Sequence, residues 1–252
     1  MTLRDAYADL VLGGSCVGCA RPGRLLCGGC RAALPVTAHT AWPIPAPPGL
    51  VRPVAAAAYD GTVKQLVLGL KERRLLGLAG PLAGLLALSV REATRGVAGP
   101  VVLVPVPSRP ASVRERGLDS TGVVTGRAAR LLRREGSPVA AVRLLRMRPG
   151  VVDQAGLDAA QRAANLAGSM TCPSPALRRL ARRHPRALVV VCDDVVTTGS
   201  TAREAQRALE AVGLRVVAVA AVAATVRRAP GRSRPTLPPG GDVGISSRTP
   251  LA

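Results

Sequence analysis

The chain has 252 residues, 48% of them apolar, enough to bury one sizeable core and carry a small extra module. One Trp, two Tyr and no Phe leave that core to Ala, Val and Leu, and argue against the aromatic platforms on which single-stranded nucleic acid stacks. The formal net charge of +20 attracts polyanions without specifying them; nearly all of it is scattered arginine, with Lys64 and Lys71 the only lysines, and in a chain rich in Ala, Gly and Pro it reads as genome composition as much as a basic surface.

The opening MTLRDAYADL is charged and amphipathic, unlike a signal peptide, and places Leu3, Ala6, Tyr7, Leu10 and Val11 at helical spacing over 3–11. Cys16-Val-Gly-Cys19 and Cys27-Gly-Gly-Cys30 follow, two C-x-x-C knuckles with seven residues between them. Four thiolates in this arrangement close a tetrahedral structural Zn²⁺ site, with glycines that let backbone N–H groups turn toward sulfur. The competing reading is a pair of redox dithiols or disulfides, which a cytoplasmic chain disfavours. Residues 35–50 hold five prolines and almost no charge, and read as an extended linker.

VRPVAAAAYD (51–60) predicts a strand, followed by helices over about 62–70 and 78–95. The apolar stretch 75–90 contains Pro81 and three glycines and is short for a membrane span, so a buried or amphipathic helix and a cytoplasmic protein without a span are expected. VVLVPVP (101–107) predicts a buried strand ended by prolines. RERGLDS (114–120) is then a loop, and Asp119 or Ser120 caps a helix through Arg134. LDAAQRAANLAG (157–168) predicts a short helix and LRVVAVAAVAA (214–224) a last strand, while the Pro-, Gly-, Ser- and Arg-rich end reads as disordered. Strands alternating with helices predict an α/β fold, a mostly parallel sheet with helices on both faces. The expected divisions are 1–34 for the first helix and a zinc-ribbon-like module, 35–50 for the linker, 51–226 for the α/β domain and 227–252 for a basic tail.

VVVCDDVVTTGSTARE (189–204) carries the chemistry. Three valines and Cys192 predict a strand buried on both faces, with Asp193 and Asp194 at its carboxyl end, where open α/β sheets bind ligands. Thr197, Thr198, Gly199, Ser200 and Thr201 follow. Thr201 and Glu204 have the spacing of a capping box, so a helix is expected to start at Thr201 with hydroxyls and free N–H groups converging on an anion, phosphate above all. No Gly-Lys pair exists, which removes the P-loop ATPase reading, and H-E-x-x-H and G-x-S-x-G are absent. Two carboxylates beside a phosphate suit ribose hydroxyls, which donate to ionised acids. A ribose 5-phosphate would then place its phosphate on 197–201 and its 2′ and 3′ hydroxyls on Asp193 and Asp194.

CDDVVTTGST resembles the 5-phosphoribosyl-1-pyrophosphate (PRPP) signature of type I phosphoribosyltransferases. The double C-x-x-C, YDGTVKQLVLGLKE (59–72), VPVPSR (104–109), RERG (114–117) and Gln154 with Arg162 and Asn165 are similar to the ComF/GntX branch. The resemblance covers roughly residues 3–225. It implies a type I phosphoribosyltransferase fold, Mg²⁺ bound with PRPP, and phosphoribosyl transfer to an acceptor nitrogen. It also implies ribose on Asp193 and Asp194, 5-phosphate on Thr197 to Thr201, pyrophosphate near Ser108 and Arg109, and positive charge from Arg116 or Lys71. The branch usually has R-G-[FY]-N-Q where this chain has Arg116-Gly117-Leu118-Asp119-Ser120, and Lys-Tyr where it has Lys71-Glu72. Two other functions share the fold: a non-catalytic PRPP or nucleotide sensor, and an accessory factor of competence that works with partners of a DNA-uptake machinery or binds single strands directly.

Overall fold

The computed structural model describes residues 14–108, 117–148, 166 and 168–225. The expected helix over 3–11, the tail, Arg109, Arg116, Gln154, Arg162 and Asn165 lie outside the described residues.

Two strands form the centre of the sheet: β7 (Leu188–Val196) and β8 (Val216–Ala224), both buried almost end to end. Their runs of Val and Ala have no polar face, as strands covered on both sides require. Among the described residues the main sheet has six strands in the order β1-β2-β8-β7-β3-β4, where β1 is His39–Thr40, β2 Pro53–Ala58, β3 Val101–Pro105 and β4 Val139–Ala141. All neighbours run parallel except the edge pair β1 and β2. A two-stranded antiparallel ribbon, β5 (Arg146–Met147) with β6 (Met170–Thr171), stands apart from it.

Ahead of the sheet, the second cysteine knuckle folds into a short helix, α1 (Gly28–Ala32), whose N-cap is Cys27. Alternation along β7 then divides the core. Val190 and Cys192 join the layer beneath helices α2 (Gly61–Lys71), α3 (Ala79–Ala93) and α4 (Ser120–Arg134). Val189 and Val191 join the opposite layer, beneath α5 (Ser174–Arg183) and α6 (Ser200–Glu210). Burial pushes the Cys192 thiol upward, so it is an inert core residue there. With so many alanines the helices approach the sheet closely: Ser89 of α3 donates to the Ala221 carbonyl at 2.7 Å. Leu76–Ala93 is apolar and long enough to cross a membrane by composition, with a mean hydropathy of 1.3, but α3 lies against the sheet with its apolar side chains in the core.

Among the described residues the strand and helix expectations hold to within a few residues, while the helix expected over 157–168 lies almost wholly outside them. Two local readings change. The helix after β7 begins at Ser200 rather than Thr201, behind Gly199 at φ +75°, a left-handed conformation that glycine adopts without cost. Glu204 does not fold back to cap it. Its carboxylate, 4% exposed, accepts from the Met170 N–H at 2.9 Å and from Arg207 Nε at 2.7 Å, tying α6 to β6.

The proline-rich segment is extended, as expected, but it is packed rather than free. It supplies β1 and then runs along α6, where the Pro48 and Gly49 carbonyls accept from Arg203 Nε and Gln206 Nε2 at 3.0 Å each. Gln206 Oε1 in turn accepts from the Val51 N–H at 3.0 Å.

Candidate functional site

The strand order places a switch point between β7 and β3. The chain leaves β7 through α6 to reach β8 on one side, and leaves β3 through α4 to reach β4 on the other. The two helices lie on opposite faces of the sheet, so a crevice opens at the carboxyl ends of β7 and β3. The register pairs Pro105 with Cys192, and the Val106 N–H continues the ladder to the Cys192 carbonyl at 2.8 Å. Ser108 and the two acids therefore emerge side by side.

A cleft of about 270 Å³ occupies that crevice. It gathers Lys71, Ser108, Asp193, Asp194 and Thr201, five of the residues singled out in the sequence. It adds Ser120 and Thr121 from the first turn of α4, whose hydroxyls the motif reading missed; a polar pair behind an N-cap was the available signal. Thr197, Thr198, Gly199 and Ser200 are not in its lining. Gly199 instead faces the proline-rich segment, and a Cβ built there would lie 3.0 Å from Pro43 Cγ and 3.2 Å from Pro47 Cδ.

The loop is braced from within. Thr198 Oγ1 and Ser200 Oγ are 3.0 Å apart, the Ser200 N–H reaches Thr198 Oγ1 at 3.4 Å, and Thr225 donates to the Thr197 carbonyl at 3.4 Å. Behind it the first turn of α6 contributes N–H groups without intrahelical partners and the positive end of the helix dipole. Across the cleft α4 presents a second N-terminus. Asp119 caps it, accepting from the Gly122 N–H at 3.0 Å and from Ser108 Oγ at 3.1 Å, and it pairs with Arg143 at 3.1 Å. Of the two residues expected as caps, Asp119 takes the role, and its carboxylate is thereby committed to the wall.

The two acids differ. Asp193 is 9% exposed; burial first, then the charge of Asp194, raises its pKa well above the carboxylate range, and Lys71 opposes this. Asp194 forms an ion pair with Lys71, whose ammonium contacts Oδ2 directly. Burial works against the Lys71 charge, but the carboxylates of Asp194 and Asp193 more than offset it and hold its pKa above the usual lysine value. Lys71 comes from the last turn of α2, one turn beyond Val67 and at the edge of the stripe that Val63, Leu66, Val67 and Leu70 bury.

The four N-terminal cysteines form a second centre. Their Sγ atoms all lie within 4.8 Å of one another, and Cys19 and Cys27 are 3.6 Å apart. A disulfide requires about 2.05 Å. Sulfurs about 2.3 Å from a tetrahedral zinc stand about 3.8 Å apart, so the spacing suits a shared cation. Burial raises the Cys16 thiol, but the N–H groups of Cys27, Cys19 and Gly18 bring it down to about 6. Cys30, crowded by the sulfurs of Cys27, Cys19 and Cys16, is pushed up to about 12. Four thiolates cannot share this space without a compensating charge, which a divalent metal bound by the four sulfurs would supply. The cluster rests on α2: a Cβ at Gly18 would stand 2.9 Å from both Cys30 Sγ and Thr62 Oγ1.

No family model and no curated protein matches this chain. Among solved structures, that of TT1426 from Thermus thermophilus resembles it over 61% of this chain and 86% of its own, at 20% identity. The TM-score of 0.26 is too low for that likeness to bear on fold or function.

Proposed function

We propose that the cleft binds a phosphorylated ribose, with PRPP as its donor form, on a type I phosphoribosyltransferase fold. The observation that carries this is the pairing of two adjacent acids at the carboxyl end of β7 with the N-terminus of α6, facing one cleft at the switch point. Thr201 and the α6 N-terminus take the 5-phosphate. Asp193 and Asp194 accept from the ribose hydroxyls, and the Ser108 side takes the pyrophosphate. Lys71 leaves Asp194 when ribose arrives and turns to the phosphates, so one cation serves the acids before binding and the anion after it. Mg²⁺ arrives chelated by the diphosphate as part of the ligand.

The reaction this supports is displacement at C1. An amine or ring nitrogen forms the new N–C1 bond, the C1–O bond to pyrophosphate breaks, and the proton on nitrogen passes to solvent. The leaving diphosphate departs between Lys71 and the first turn of α4, where Ser120 and Thr121 donate to it. In the four-cysteine cluster the metal is Zn²⁺, held closed by four sulfurs and structural.

A second reading is favoured by one observation. Asp119 stands where the branch it resembles has an amide, and it is spent on capping and on Ser108. A protein that binds PRPP as a signal without transferring it fits that wall. Thermal-shift titration with PRPP, ribose 5-phosphate, pyrophosphate and phosphate tests the shared claim. Stabilisation by the two ribose ligands that disappears in Asp193→Asn supports it, and a response to pyrophosphate alone contradicts it. Pyrophosphate release on adding purine, pyrimidine or pyridine bases then separates enzyme from sensor.

A further inference from the structure

A larger cavity, about 470 Å³, lies where the four-cysteine module meets the core, and it shares no lining residue with the cleft. Its floor is aliphatic: Leu25 and Leu26 from between the knuckles, Leu76 and Leu78 from the turn before α3, and Pro81. Its rim is cationic. Arg24 stands three residues before Cys27 and Arg31 directly follows Cys30, so the metal-binding loop itself fixes both, and Arg127 reaches in from α4. Among the described residues none of the three has a carboxylate partner, unlike Arg52, Arg91, Arg95, Arg143, Arg203 and Arg207.

We propose that this cavity docks an acidic segment of another protein, with aliphatic side chains on the floor and carboxylates on the arginine forks. Among the described residues the three guanidinium groups have no carboxylate partner, and Leu76 in the same lining is 53% exposed, so the cavity offers free cationic forks beside an uncovered aliphatic side chain. Arginine forks match carboxylates bidentately, and the lining has no aromatic side chain on which a nucleobase could stack. Charge excludes the nearest alternatives. A second copy of this chain brings +20 of the same sign, and residues 227–252 hold one aspartate against several arginines. The occupant is therefore a different, acidic chain, and the cysteine module acquires a purpose beyond stapling α2: it shapes half of a recognition groove.

The test uses the full-length, zinc-loaded protein and fluorescence anisotropy with a short labelled peptide of leucines and glutamates at helical spacing. Saturable binding is expected, weakened about tenfold or more by Arg24→Glu/Arg31→Glu and also by Leu76→Asp. Arg178→Glu/Arg182→Glu, on exposed positions of α5, removes the same charge from another surface and should change affinity little. Circular dichroism and bound zinc establish that each variant is folded. Three results overturn the proposal: no saturable binding to wild type, equal weakening by the two arginine pairs, or displacement of the peptide by an oligothymidylate that itself depends on Arg24 and Arg31.

Discussion

Replacing Lys71 with methionine leaves two adjacent acids with no cation among the described residues of the cleft. Removing one partner of a fully buried ion pair costs about 3–5 kcal/mol. The side chains here are 29% and 13% exposed, and the remaining solvent screens the charge left behind, so about 2–3 kcal/mol is expected at pH 7. For a domain of this size that is a fall in Tm of about 5–10 °C. The pH dependence identifies the cause. Asp193 has a folded pKa raised above its unfolded value, so its ionisation costs stability above the unfolded pKa, and that cost is recovered as the pH falls through the folded value. Without Lys71 the cost is unopposed. The deficit of Lys71→Met should therefore be present at pH 7 and shrink as the pH falls through the folded pKa of Asp193, and adding Asp194→Asn should return part of it at pH 7. Thermal unfolding followed by circular dichroism across an acidification series measures this. A deficit that is absent at pH 7, or that does not diminish anywhere in the acidification series, refutes the electrostatic account of the cleft.

Gly199→Ala incurs the left-handed backbone penalty and drives a Cβ against Pro43, Leu50 and Pro47, so a loss of about 1–3 kcal/mol is expected. Gly61→Ala, at φ +43° with open space around it, should lose only the backbone part, about 1 kcal/mol, and melting temperatures compare the two directly. Glu204→Gln removes the charge that pairs with Arg207 and sets an amide NH2 against its guanidinium, costing about 1–3 kcal/mol at pH 7. Burial alone would raise the Glu204 carboxyl, but Arg207 and the N–H groups of Met170 and Gly168 hold it below the usual range. Its contribution is thus present above the unfolded pKa and fades as the pH falls through the folded one, and urea midpoints at decreasing pH should converge with wild type. Zinc analysis should find one ion per chain, lost on acidification as the thiolates take up protons and lost in Cys27→Ser at neutral pH.

What could be read from the sequence was local. The run that ends in Asp193 and Asp194 states its own burial and its place at a strand's carboxyl end, and the cysteine spacing states its geometry, because each depends on neighbours a few residues away. Glu204 shows the opposite case. Its spacing from Thr201 imitates a capping box, yet Gly199 in a left-handed conformation starts the helix, and the partner that claims the carboxylate is Met170, 34 residues distant. The proline-rich segment misled for the same reason. Its composition predicts an extended chain correctly but cannot reveal that Arg203 and Gln206, more than 150 residues on, hold its carbonyls. Asp119 was legible as a cap, whereas its bond to Ser108, which joins the two walls of the cleft, was not.

The most direct measurement of the central claim is a calorimetric titration of the zinc-loaded protein with PRPP, with and without Mg²⁺, on wild type and on Asp193→Asn/Asp194→Asn. Saturable, Mg²⁺-dependent binding to wild type is expected, and none to a double variant that keeps its fold. Undiminished binding by the double variant would place the ligand elsewhere, and no binding by wild type would leave β7 and its acids as scaffold only.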